Sequence, residues 1–167
     1  MLGAPRYSLV VRVYLGSDHA GFELKAQLVE HVRALGYDPV DCGPHAYDAE
    51  DDYPPFVLLA ATKTAGDPDS AGIVLGGSGN GEAIAANKVR GVRCALAFSD
   101  DTARLAREHN DANVLSLGAR MYDADTAQRF VEIFLSTTFT GEARHVRRIG
   151  MLSDYEETRE LPPLPAD

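Results

Sequence analysis

The chain has 167 residues, 45% of them apolar and 25% charged. That is the balance of an ordinary globular protein, long enough to bury its own core. No apolar run approaches the ~18 residues of a membrane span, and a net charge of −9 opposes general nucleic-acid binding, which needs a basic face.

Taken in chain order, "LVVRVYL" (Leu9 to Leu15) reads as a buried strand rich in β-branched residues. "GSDHAG" turns the chain into "FELKAQLVEHVRAL", whose apolar residues have helical spacing, and Gly36 caps that helix. "YDPVDCG" is a short second strand, and the acidic, proline-bearing "PHAYDAEDDYPP" is a loop. "FVLLAATKTA" reads as helix, "AGIVLG" as the third strand, and "EAIAANKV" as the helix after a glycine loop. "RCALAFS" is a fourth strand, followed by the helix "DDTARLAREHN" with Ser99 or Asp100 as its cap. "NVLSLG" is the fifth strand, and "DADTAQRFVEIFLS" and "GEARHVRRIGMLSDYEETRE" are the last two helices. Residues 1–160 then form one domain, and "LPPLPAD" (161–167) is a frayed tail.

Strands alternating with helices imply α/β architecture: a five-stranded parallel sheet inside a three-layer α/β/α sandwich. Ligands of such sheets bind beyond the carboxyl ends of the strands. Cys42 and Cys94 are far apart and no CxxC occurs, so neither a zinc site nor a disulfide is implied. The N-terminus lacks an apolar segment followed by a small-residue cleavage site, so the chain is expected to stay in the cytoplasm.

The densest chemistry lies in "GIVLGGSGNGEAIAANK", Gly72 to Lys88. Its glycines have P-loop spacing, but Glu82 and Ala83 stand where Lys and Ser/Thr are needed. A carboxylate there repels a γ-phosphate, and "GGSGNG" is not the GxGxxG of a dinucleotide site. One reading is a plain strand-to-helix turn, with Glu82 favoured by the helix dipole. The other is catalytic: N–H groups of Gly77, Gly79, Asn80 and Gly81 cradle an oxyanion, and Glu82 moves a proton beside it. That pairing suits proton abstraction next to a carbonyl, with Ser78 relaying a proton between neighbouring oxygens.

Other polar residues are placed on the same sheet edge: Asp18 and His19 in "SDHAG", Tyr53 in "DDYPP", and His109 and Asn110 in "REHNDAN". Alone, each has an ordinary role as cap, surface group, dipole partner or loop aromatic. "EARHVRR" places Arg144, His145, Arg147 and Arg148 near a helix start, where the macrodipole disfavours cations. Arg144 and Arg148 share a face and can grip phosphate oxygens, with Arg120 joining them, although a solvated basic face has the same pattern.

"YLGSDHAGFELK", "DCG", "DDYP", "GIVLGGSGNGEAIAANK", "REHNDANVLSLGAR" and "RHVRRI" together resemble the ribose-5-phosphate isomerase B family, from about Arg12 to about Tyr155. The resemblance implies a Rossmann-like fold and interconversion of D-ribose 5-phosphate and D-ribulose 5-phosphate through an enediolate. It implies no cofactor and no metal, and a homodimer, or dimers paired into a tetramer, with active sites at the subunit interface. By the same resemblance, Asp18 and His109 open the sugar ring, with His19 and Asn110 beside them on the substrate. Ser78 and the loop amides hold the enediolate, and Arg120, Arg144, His145 and Arg148 hold the phosphate. One branch of the family carries a catalytic cysteine where this chain has Gly76; another carries a glutamate at position 82, as here.

Two alternatives remain at this level. One is isomerisation of a six-carbon sugar phosphate, of allose or galactose. The other is a nucleotide-binding regulatory module on the same scaffold, against which the missing Walker lysine and the defective GxGxxG count, as the intact acid–base set counts against a catalytically dead sugar-phosphate sensor.

Overall fold

The computed structural model describes residues 10–165. Its strands are β1 (Arg12–Ser17), β2 (Asp38–Asp41), β3 (Ala71–Gly76), β4 (Cys94–Leu96) and β5 (Val114–Gly118). Its helices are α1 (Phe22–Ala34), α2 (Tyr53–Gly66), α3 (Asn80–Ala86), α4 (Asp100–Asn110), α5 (Ala124–Ser136) and α6 (Ala143–Thr158). The strands form one parallel sheet in the order β2-β1-β3-β5-β4. The chain leaves β1 toward β2 on one side and returns to β3 on the other. The crevice beyond the carboxyl ends of β1 and β3 is therefore the topological switch point where ligands settle.

Side chains alternate across the sheet and build two cores. Val13, Leu15, Ile73, Leu75, Leu115 and Leu117 face α1, α4 and α5, meeting Leu28, Ala103 and Phe130. Tyr14, Val74 and Val114 face α2 and α3, meeting Val57, Ala60 and Ala86. Both faces being covered explains why the strands read as continuous apolar runs rather than alternating ones. Ala127, Phe130, Val131 and Phe134 of α5 are spaced i, i+3, i+4, i+7 and are all buried, which places one helical stripe on the sheet.

Element boundaries moved where local chemistry outweighed pattern. β1 runs on through Gly16 and Ser17; of the expected strand start, Leu9 lies outside the described residues. β4 is only three residues long. α2 begins at Tyr53, not Phe56. Pro54 and Pro55 fall in its first turn, where a missing N–H costs nothing and the fixed φ suits a helix. α3 begins at Asn80, two residues before Glu82, which puts the acid in the first turn. Ser99 caps α4 through a box with Thr102. Residues 161–165 have no regular structure and are exposed.

α6 differs from the other helices. Only His145 on it is buried, while Val146, Met151, Leu152 and Tyr155 are exposed. It packs on α4 and is tied near its end by Glu157 to Arg90 at 2.9 Å and by Glu156 to the Gly91 N–H at 2.9 Å.

A buried lysine fixes the route out of β2. Lys25 of α1 is 2% exposed; its Nζ donates to Asp41 Oδ1 and, at 3.0 Å, to the Pro44 carbonyl. The same Asp41 oxygen accepts the Gly43 N–H at 2.8 Å. Lys25→Met removes the charge that holds this turn and leaves the buried Pro44 carbonyl without its donor. A loss of roughly 2–3 kcal/mol is expected in urea denaturation, and an unchanged midpoint contradicts this role.

Candidate active site

Four neighbouring strand ends, those of β2, β1, β3 and β5, supply one cluster. After β1, Asp18 caps a 3-10 turn (His19–Gly21), accepting the Ala20 N–H at 2.9 Å and the Gly21 N–H at 3.3 Å. After β2, the acidic loop brings Asp51 to His19: Asp51 Oδ1 lies 2.9 Å from the His19 backbone N and 2.8 Å from its Nδ1. After β3 comes the glycine loop, and after β5 comes Arg120. A cleft of about 470 Å³ opens there, lined by Tyr53, Gly77, Ser78, Gly81, Glu82, Arg120 and Met121. A larger cavity, about 600 Å³, lies at the opposite edge of the sheet around Tyr37, Asp67 and Arg107 and holds none of the residues expected in the site. Chemistry, not size, identifies the smaller cleft.

The glycine loop is moulded by its neighbours. Gly79 has φ +82°, and a Cβ there would sit 2.6 Å from Leu96 Cδ1, so both backbone and space require glycine. Its carbonyl accepts the Ser116 hydroxyl at 2.7 Å. A Cβ on Gly81 would meet the Tyr53 ring at 2.8 Å. Arg120 runs over Gly77, and its backbone N–H donates to the Gly77 carbonyl at 3.0 Å. Ser78 is exposed, and its Oγ accepts from the Asn80 N–H at 3.3 Å and from Asn80 Nδ2 at 3.2 Å.

Glu82 is 4% exposed. Its carboxylate occupies the space that a Cβ on Gly76 would fill, so the acid lies against the end of β3. Burial pushes its carboxyl above the usual carboxylate range, and the charge of Asp18 adds to this. N–H groups of Glu82 and Gly79 oppose the shift. His19 is raised too, but by a partner instead of by burial: its bond to Asp51 raises its pKa, burial resists, Asp18 contributes and Arg120 opposes. The ligand atoms of Asp18, His19 and Asp51 lie within 4.8 Å of one another. Asp18 and Asp51 each accept N–H donors with one oxygen.

The structure corrects the placement of the remaining residues. His109 and Asn110 lie in the last turn of α4, which runs back toward the opposite edge of the sheet. The Asn110 carbonyl accepts Arg93 Nε at 2.8 Å, just before β4 begins. Cys94 pairs at the level of Gly72, about 13 Å of strand below Gly76. His145 stacks on His109 with ring centroids 4.3 Å apart; burial first, then the charges of His109 and Arg144, lower its pKa. Being buried, His145 faces α4 rather than standing out beside its exposed neighbours Arg144, Arg147 and Arg148. Arg144 pairs with Glu142 at 3.0 Å; among the described residues Arg148 makes no ion pair.

One chain therefore carries two groups of candidate residues. Asp18, His19, Tyr53, Gly77–Glu82 and Arg120 gather at the carboxyl edge. His109, Asn110, Arg144, His145 and Arg148 gather at the other. Asp51 was missed by sequence reasoning, although it stands in the "DDYP" motif, because an acid in an acidic loop gives no sign of its partner.

The chain matches the Ribose/Galactose Isomerase family over residues 13–152. It is 57% identical over 155 residues to "Ribose-5-phosphate isomerase B" of Mycolicibacterium paratuberculosis, covering 93% of this chain and 98% of that protein. The crystal structure of ribose-5-phosphate isomerase B from Mycoplasma genitalium with bound ribulose-5-phosphate superposes with a TM-score of 0.85 at 41% identity, over 89% of this chain and 97% of that one. Type B ribose 5-phosphate isomerase from Trypanosoma cruzi gives 0.86 at 38% identity, over 91% of this chain and all of that one. With its parallel sheet, its glycine loop and its buried acid, this chain belongs to the Ribose/Galactose Isomerase family.

Proposed function

We propose that the chain interconverts D-ribose 5-phosphate and D-ribulose 5-phosphate, with Glu82 as the base. The observation that carries this is the buried Glu82 carboxylate lying against Gly76 beside the loop amides, in a chain so similar to ribose-5-phosphate isomerases B. His109 and Asp18 open the furanose. Glu82 takes the C2 proton of the open aldose, and the C2–H electrons form the C1–C2 double bond as the carbonyl pair moves to O1. Loop N–H groups hold that oxyanion. Ser78 passes the O2 proton to O1, and Glu82 returns its proton to C1 as the C2 carbonyl forms. Burial suits Glu82 to this: a carboxylate of raised pKa is a stronger base than an exposed one.

The reaction needs both residue groups, and one chain keeps them apart. We read the working unit as a homodimer in which a partner's His109 and Arg148 complete the site around Glu82. Unpartnered apolar side chains support this on both sides: Val146, Met151, Leu152 and Tyr155 on α6, and Ile84, Phe98 and Met121 around the glycine loop. The substrate is a small sugar phosphate, bound by Arg120, Arg144 and Arg148 without nucleic acid or cofactor. No helix among the described residues is long and apolar enough to cross a membrane, and the metabolic role fits the cytoplasm.

Side-by-side assays of ribose 5-phosphate, allose 6-phosphate and galactose 6-phosphate test the substrate; the five-carbon sugar is expected to give the highest kcat/KM. Glu82→Gln keeps the shape and is expected to lower kcat by about 10²–10⁴. Because the base must be ionised, wild-type kcat/KM rises with pH through the carboxyl's pKa. That limb is expected above the ordinary 4.5; near-normal turnover by Glu82→Gln removes the assignment.

Gly76→Ala places a methyl where the carboxylate lies. A drop in kcat with an unchanged circular dichroism spectrum is expected. If crystals of the variant showed Glu82 unmoved and the rate intact, the packing argument fails.

Mixing separates the two residue groups. Glu82→Gln and His109→Asn are each expected to be nearly inactive. Unfolded and refolded together at equal amounts, half of the random dimers carry one intact site in two, so roughly a quarter of wild-type activity returns. No recovery in dimers shown to be mixed would place both residues in one chain's site.

A further inference from the structure

The acidic loop after β2 holds a residue that the proposed mechanism does not use. Asp51 sends one oxygen to two donors of the same residue, the His19 backbone N–H and Nδ1. Its side chain is only 9% exposed, and its second oxygen is buried without a partner. His19 keeps 26% of its side chain accessible. An acid anchored in this way fixes the ring: with Nδ1 committed as donor, the outward nitrogen is Nε2.

We propose that Asp51 is a positioning residue that clamps His19, so that Nε2–H is presented as a cationic donor to an anionic oxygen of the sugar phosphate. This rests on the sugar-phosphate reading above. The clamp also accounts for the route of the chain. The loop that leaves the Lys25–Asp41 turn returns to β1's end before α2 starts at Tyr53, and the Asp51–His19 bonds tie it there. The groups facing His19 are Asp51, Asp18 and Arg120. The two carboxylates favour the imidazolium, and Arg120 opposes it. The sign follows: His19 is held charged to higher pH than a free histidine, and substrate binding weakens as pH rises through its titration.

Simple electrostatics predicts the reverse of the clamp. Asp51 is a negative charge near an anion site, so neutralising it should tighten binding. Asp51→Asn is nearly isosteric and can still accept the backbone N–H. It is expected to raise KM roughly tenfold with kcat within about twofold. The His19 ring titration, followed by NMR in the full chain, is expected to move to lower pH, and Asp51→Glu to recover part of both effects. A lower or unchanged KM, or a His19 titration that matches the wild type in a folded Asp51→Asn protein, overturns the clamp. Failure of the isomerase reading looks different: no turnover of ribose 5-phosphate by the wild type, with the His19 titration still responding to Asp51.

Discussion

The missing side chain at Gly76 is the constraint on which the site depends. β3 is buried along its length and delivers the chain into the switch-point crevice with no room to spare. Because residue 76 lacks a Cβ, the Glu82 carboxylate can fold back against the strand end and occupy that space. The acid is thereby removed from water, its pKa raised, and its oxygens set beside the amides that follow. A side chain at 76 and a carboxylate in this position exclude each other.

The other glycines serve the same end by a different route. Each is required by a particular neighbour: Leu96 and the β5 backbone at Gly79, the Tyr53 ring at Gly81, and Met121 with the Ser78 carbonyl at Gly118. The loop is thus a cast of the surrounding strand ends, which is what the proposed oxyanion role of its N–H groups requires. Such preorganisation lets backbone dipoles act on an oxyanion without reorienting during the reaction. Local packing and chemistry are coupled here, because a loop free to relax would cover the same sequence but lose the aim.

Much of the fold could be read directly from the chain. Apolar runs separated by capped helices gave the parallel sheet, and the β3 boundaries matched residue for residue, since a fully buried strand between two turns has little freedom. Helix starts were harder. Pro54 and Pro55 look like breakers but sit where helices accept them, and Asn80 begins α3 although the pattern starts at Glu82. The placement of the glycine loop and of Glu82 in the helix's first turn was legible because the two are adjacent in sequence. His109 was not, because a strand edge is a property of the topology: helix length decides which end of the sheet its last turn reaches. His145 was assigned with its arginine neighbours by adjacency, whereas the helix turns it inward onto His109. Asp51 was invisible for a related reason, as its partner lies 32 residues away.

The division of charge within the chain follows from the same geometry. The buried Glu82 and its neighbours Asp18 and Asp51 make the carboxyl edge acidic, with Arg120 and His19 the cations close at hand there. Adding Arg144 and Arg148 to that edge of one chain would pair them with those acids and quench both. Held on α6, they stay clear of Glu82 and Asp18, and Arg148 makes no ion pair among the described residues. In the proposed homodimer a second copy would bring them in, so that the cations would take the phosphate while Glu82 would work on carbon at the other end of the sugar. α6 carries an exposed apolar face beside these arginines, so the surface that would join two copies also delivers the charges that the first one lacks.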